Sequence, residues 1–172
     1  PVKGKVLDVG SADGVFSNVI LSKSRASELI GIEVLKKSVD WAKKHWKSNK
    51  KMKFRVGDAH DLGFKPNTFD AVFCLEVLEH VKSPTKVLKE FKRVMKKGGY
   101  GVFLVPSDND LFKVIWFLWL HFYPRGWVWR DTHIQTYRNN FLPKMCTKVG
   151  FKIEAEKKFL LGMLHAVKVR KI

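Results

Sequence analysis

Acidic residues are scarce in this chain. Asp and Glu number 16 against 33 Lys and Arg, a formal net charge of +17 over 172 residues. Such an imbalance favours anionic partners: nucleic acid, an acidic lipid surface or an anionic substrate, and charge alone does not choose among them. Cysteine is nearly absent. Cys74 and Cys146 stand in apolar contexts without metal-ligand spacing, which excludes a disulfide framework and fits a reducing interior. Long apolar runs are missing too. The longest, Val114 to Leu120, is seven residues, far short of the roughly 20 that a spanning helix needs. No stretch reads as a secretory leader, an internal repeat, a low-complexity tract or a linker. The expectation is a cytoplasmic protein, peripheral to a membrane at most.

What is present is globular. Hydrophobic content is 45% and aromatic content 13%, enough for one domain, 1–172, with its own core. Lys5 to Val9 reads as a buried parallel strand, apolar but for Asp8. It enters a small-residue turn, Gly10-Ser11-Ala12-Asp13-Gly14. An amphipathic run follows with Val15, Phe16, Val19 and Ile20 on one helical face. Strand, glycine turn and helix together make a nucleotide-type site: glycines admit close backbone approach, and a helix start offers free N–H groups. An acidic residue this early disfavours a phosphate ligand and suits a cationic one.

The rest alternates. Glu28 to Glu33 reads as a second strand, with Glu33 at its carboxyl end, 19 residues beyond Gly14, where a carboxylate can accept from a ribose diol. Leu35 to Ser48 is expected to be a helix with Leu35, Val39, Ala42 and Trp46 inward and lysines outward. Lys53 to Val56 is a third strand, followed by Gly57-Asp58-Ala59-His60-Asp61. Phe69 to Glu76 is a fourth strand. Ser83 caps a helix whose stripe is Val87, Leu88, Phe91, Val94 and Met95, ended by Gly98-Gly99. Tyr100 to Val105 is a fifth strand. Asn139 or Asn140 caps a last helix through Val149, and Phe151 to Phe159 with Met163 to Lys171 form a closing antiparallel pair.

The stretch Asp8 to Gly14 is a D-x-G-x-A-x-G pattern, not the G-x-G-x-x-G of dinucleotide sites. It resembles the first motif of class I S-adenosyl-L-methionine (SAM)-dependent methyltransferases, usually D-x-G-x-G-x-G, with Ala12 at the middle glycine. Gly57-Asp58-Ala59 resembles the family's G-D-A loop. Asn67 to Val81 resembles the small-molecule members that include the ubiquinone- and menaquinone-pathway enzymes. The resemblance implies an α/β, Rossmann-like three-layer sandwich with a seven-stranded, mostly parallel sheet of order 3-2-1-4-5-7-6, the last strand antiparallel. It implies SAM as cofactor, over the carboxyl ends of the first, second and fourth strands. The residues it assigns to the cofactor are Asp8, Gly10, Ala12, Gly14, Glu33, Val34, Asp58, Ala59, Leu75 and Glu76. Glu33 would hold the ribose, and Asp58 the adenine amino group.

Methyl transfer from a sulfonium needs alignment and the management of one proton. His80 and His133 are the catalytic candidates, with Glu79 beside them; a structural or substrate-orienting role is open to each. Glu76-x-x-Glu79-His80 also resembles a metal-binding pattern of some relatives, but the further histidine expected near it is Ser83 here, so no metal is assigned. Glu76 and Glu79 would then face cofactor and solvent.

The implied activity is methylation of a small or lipid-like acceptor. The charge suggests an RNA acceptor as the alternative, although the lysine-rich helices should lie on opposite sheet faces; a non-catalytic SAM-binding protein is another. The D/N-P-P-Y/F motif of amino-methylating nucleic-acid enzymes is absent after the fourth strand, as is a Pro-Cys nucleophile. Residues 108–134 hold Trp116, Trp119, Trp127 and Trp129 among basic residues. They read either as a lid that forms the acceptor pocket and rests on an anionic membrane surface, or as a fixed extra helix in the core. Family members usually carry helices before the first strand, whereas only Pro1 to Gly4 precede it here. The chain is therefore either a piece of something longer or draws that cover from elsewhere.

Overall fold

The computed structural model describes residues 2–107, 114–115, 117–118, 137 and 140–172. Seven strands form one sheet: β1 (Lys3–Val9), β2 (Arg25–Glu33), β3 (Met52–Val56), β4 (Phe69–Leu75), β5 (Met95–Pro106), β6 (Phe151–Phe159) and β7 (Leu164–Lys171). Their order is β3-β2-β1-β4-β5-β7-β6. β1 to β5 pair in parallel. β7 runs antiparallel to both β5 and β6. Around the sheet, among the described residues, lie α1 (Val15–Ser22), α2 (Lys36–His45), α3 (Pro84–Val94), α4 (Phe141–Val149) and a 3-10 turn, Leu78–His80. Fold class and strand order are those that the sequence resemblance implied.

The larger core lies on the α3–α4 face. Val87, Leu88, Phe91 and Val94 of α3 are fully buried there with Leu7, Val72, Phe103 and Val167 from the strands. Phe91 meets Phe103 at 5.4 Å between ring centroids, and Phe103 meets Phe151 at 5.9 Å. Leu142 and Cys146 of α4 close it. Both cysteines are buried free thiols, and burial pushes the Cys146 thiol up to about 12. The opposite face carries α1 and α2: Val6, Leu29 and Ala71 pack with Ile20 and Leu21, and Val39 and Ala42 pack with Met52 and Phe54. The two lysine-rich helices therefore lie on opposite faces, as expected.

Three local expectations are corrected. The inward face of α1 is centred on Ser17, fully buried, while Val15, Phe16 and Val19 are 47%, 64% and 47% exposed. The reason is Asp8. A buried carboxylate needs a donor, and rolling the helix to bring the Ser17 hydroxyl to it outweighs burying these three apolar side chains. Second, α3 stops at Val94, before Gly98-Gly99. Its last carbonyls are taken by the turn before β4, where Asn67 and Thr68 donate to Arg93 and Val94 at 3.0 and 2.7 Å. Met95 then pairs with Phe69 in the sheet, and Gly98, at φ +75°, follows in the irregular stretch. Third, α2 begins at Lys36, leaving Leu35 63% exposed beside Val34.

Candidate functional site

Strand register brings three carboxyl ends together. Val9 lies between Ile32 of β2 and Cys74 of β4, and Glu33 pairs with Val56. The turn from Gly10 to Gly14 leaves this edge through three left-handed residues: Gly10 (φ 76°), Ala12 (φ 44°) and Gly14 (φ 81°). Gly10 and Gly14 have no substitute. A Cβ on Gly10 would lie 2.1 Å from a Val77 methyl, and one on Gly14 2.5 Å from the Phe54 ring. Ala12 tolerates its conformation at a cost of roughly 1–2 kcal/mol.

The turn is anchored to β2. Gly10 and Ser11 N–H groups both donate to the Ile32 carbonyl, at 2.8 and 3.1 Å. Glu33 does the remainder: Oε2 accepts from the Ala12 N–H at 3.1 Å and Oε1 from the Leu35 N–H at 3.0 Å. Each carboxylate oxygen keeps acceptor capacity for a ligand diol. Trp46 donates its Nε1–H to the Asp13 carbonyl at 2.8 Å, fixing the far side.

Asp8 sits beneath this turn, 2% exposed, and accepts from Ser17 Oγ at 2.5 Å. Burial raises its carboxyl to about 6; the Ser17 hydrogen bond opposes that shift and the Glu33 charge adds to it. It props the helix start and does not line the open edge. The Ser11 hydroxyl is buried with no hydrogen-bond partner. It packs over Gly31, where a Cβ would come within 2.7 Å of it.

Beyond β3, the Gly57 N–H donates to the Glu33 carbonyl at 3.1 Å, which brings Asp58 to the same edge. The Asp58 side chain is 65% exposed. Hydrogen bonds from His60, backbone first, hold its carboxyl below the usual range. Ala59 is buried next to it. Sequence reasoning missed His60. Its Nδ1 lies 2.7 Å from Asp58 Oδ1, and the Ser83 N–H donates to its Nε2 at 3.4 Å. With Nε2 accepting, Nδ1 carries the proton, so His60 ties the Asp58 loop to the start of α3. The signal was present as a histidine two residues past an aspartate, a spacing that suits a local Asx turn.

β4 delivers the third group. Leu75 ends the strand, and Glu76 is exposed with φ 55° while its N–H donates to the Leu104 carbonyl at 2.9 Å. Glu79 is the surprise. It is 1% exposed, not facing solvent, and its Oε2 has no hydrogen-bond partner. Burial, with the Glu76 charge adding to it, raises its carboxyl to about 8. His80 is exposed, and its N–H donates to the Val77 carbonyl. Tyr137 returns to this corner, donating its hydroxyl to the Leu78 carbonyl at 3.0 Å. Among the described residues no three His, Cys, Asp or Glu side chains converge as metal ligands. His133, Asn139 and nearly all of segment 108–134, with its four tryptophans and the lid assigned to it, lie outside the described residues.

A groove of about 740 Å³ opens at the other end of the sheet, over Asp70, Phe73, Tyr100 and Arg170. It is separate from this edge.

Comparison with known proteins agrees with the geometry. A family described as "Methyltransferase domain" matches residues 7–103, more than half of the chain. The ubiquinone biosynthesis O-methyltransferase of Chromobacterium violaceum is 36% identical over 107 residues, 61% of this chain and 45% of the relative. That of Pseudomonas syringae pv. tomato is 34% identical over 128 residues, 71% and 54% of the two chains. The chain thus spans about half the length of the curated relatives it matches. A SAM-dependent methyltransferase structure from Methanosarcina mazei has the same fold at a TM-score of 0.75, with 20% identity, covering 98% of this chain and 92% of that one. With family, topology and motif-bearing turn in agreement, the chain belongs to the class I SAM-dependent methyltransferases.

Proposed function

We propose that this chain binds SAM across the carboxyl ends of β1, β2 and β4 and transfers its methyl group to an oxygen, nitrogen or carbon of a small or lipid-like acceptor. The observation that carries the reading is Glu33. Its carboxylate fixes the glycine turn and the start of α2 at once, and still offers lone pairs where a ribose diol would lie. The residues fit the cofactor in other respects. Gly10 and Gly14 let the turn pack closely on Val77 and Phe54 in its left-handed course, exposed Val34 offers an apolar face to a purine, and exposed Asp58 offers an acceptor to its amino group.

When bound, SAM supplies an already activated methyl on sulfur. The protein's task is alignment and removal of one acceptor proton. His80, exposed just beyond β4, is the candidate among the described residues either to take that proton or to orient the acceptor. Glu79, its carboxyl raised to about 8 by burial, holds its own proton at neutral pH within the turn that carries His80.

A small acceptor is supported by the O-methyltransferase relatives. Incubation with methyl-labelled SAM and a cell extract, followed by separation of lipid, RNA, protein and small molecules, tests the acceptor class. Label in the small-molecule or lipid fraction is expected. Label confined to RNA would make the basic surface the acceptor site. Binding of SAM with no label transferred would leave a non-catalytic binding protein.

A further inference from the structure

The charge is not spread evenly along the chain. Residues 36–55 contain nine basic residues and a single acidic one, Asp40. They form α2, its following turn and β3, the edge strand beyond β2. Val39 and Ala42 face the sheet, and the lysines face outward. Asp40 pairs with Lys36, and Glu28 of β2 pairs with Lys53. Among the described residues, no acidic group pairs with Lys37, Lys43, Lys44, Lys47, Lys50 or Lys51.

Two aromatic features lie within this field. Trp41, 47% exposed, stacks on His45 one turn later, with ring centroids 4.4 Å apart and planes 11° from parallel. Lys37 and Lys44 flank Trp41 on the same helical stripe. Trp46, edge-on to His45 at 4.8 Å between ring centroids, lines a slot of about 240 Å³ together with Met52, Phe54, Lys43, Lys47 and Lys53 on the other flank of the helix. A pre-stacked aromatic platform among unpaired ammonium groups suits alternating phosphates and base faces, the chemistry of an unpaired polynucleotide strand. A membrane suits it poorly, because apart from Trp41 the outward face of α2 has no apolar side chain to insert. A protein partner suits it poorly too, since lysine is depleted from the cores of such interfaces.

We propose that the α2–β3 face is a docking surface for single-stranded nucleic acid, with the Trp41–His45 stack as its base platform. This surface stands apart from methyl transfer and does not depend on the SAM reading.

The test is fluorescence anisotropy of the full chain with a labelled single-stranded RNA of mixed sequence, roughly 15 nucleotides long, across a salt series. Trp41→Ala, and Lys44→Gln with Lys47→Gln, should each weaken binding about tenfold. The lysine pair should also lower the salt slope by roughly one to one and a half. Lys89→Gln with Lys157→Gln removes the same charge elsewhere, from α3 and β6, and should change affinity less than about twofold. Thermal melts check that all variants fold. Equal losses in the two lysine pairs, or no binding near physiological salt, would overturn the proposal. So would retention on anionic vesicles that Trp41→Ala abolishes while RNA fails to bind, which would assign the face to a membrane.

Discussion

Glu33 accepts the backbone N–H of Ala12 at 3.1 Å, 21 residues earlier in the chain. One carboxylate thereby couples the glycine turn of β1 to the end of β2, with its second oxygen on Leu35. Glu33→Gln keeps the shape but turns one oxygen into a donor facing an N–H. Loss of charged acceptors should weaken SAM binding by about 1.5–3 kcal/mol. The melting temperature should fall as well, because the turn loses its anchor. Unchanged affinity in the folded variant would remove Glu33 from the cofactor site.

Ala12 occupies a left-handed position where the family's usual motif has glycine. Ala12→Gly relieves that strain and should stabilise the protein by roughly 1 kcal/mol in denaturant unfolding. Ala12→Val, with a branched Cβ, should destabilise it by more. A destabilised glycine variant would mean that the Ala12 methyl packs favourably enough to offset its backbone cost.

Two buried carboxyls set an unusual pH dependence. Asp8 titrates at about 6 in the fold against an ordinary 3.8, and Glu79 at about 8 against 4.5. Between each pair of values the native state holds a proton that the unfolded chain has released. Stability therefore falls as pH rises from about 4 through 8. At lower pH the sign reverses: Glu28, Asp58, Asp70 and Glu90 have lowered values, and their contribution is lost as they protonate. The two sets cross over near their ordinary values, so the melting temperature should peak between about pH 4 and 5 and decline toward pH 8.5. Glu79→Gln should flatten the alkaline side of that profile. A decline that persists unchanged in this variant would assign it to other groups.

Core energetics are concentrated on the α3 face. Phe91 is fully buried between Phe103 and the strands. Phe91→Ala should cost about 3–5 kcal/mol of unfolding free energy. A loss below 1 kcal/mol would mean that α3 packs far more loosely than the structure has it.

The sheet was legible because its strands are apolar runs bounded by turns, and because motif order fixed which loop meets which. Residues whose roles depend on partners far along the chain were harder to place. Ser17 reads as a polar interruption of an apolar helix until Asp8 is seen beneath it. The early end of α3 depends on Asn67 and Thr68, which claim its last carbonyls from 26 residues upstream. Glu79 lies in a motif that suggests an exposed pair of carboxylates, yet the 3-10 turn points it inward while Glu76 stays out. Burial of that kind leaves no periodic trace in a three-residue turn. The glycine turn and Glu33 were readable from their places at the ends of β1 and β2, and Asp58 through the resemblance of Gly57-Asp58-Ala59 to a family loop.

The central claim is that this edge of the sheet holds SAM. Isothermal titration calorimetry of the folded chain with SAM, and with its demethylated product S-adenosylhomocysteine, tests it most directly. One saturable site is expected for each ligand, weakened by Glu33→Gln and unaffected by Trp41→Ala. No saturable heat with either ligand, from protein shown to be folded by its melting transition, would contradict it.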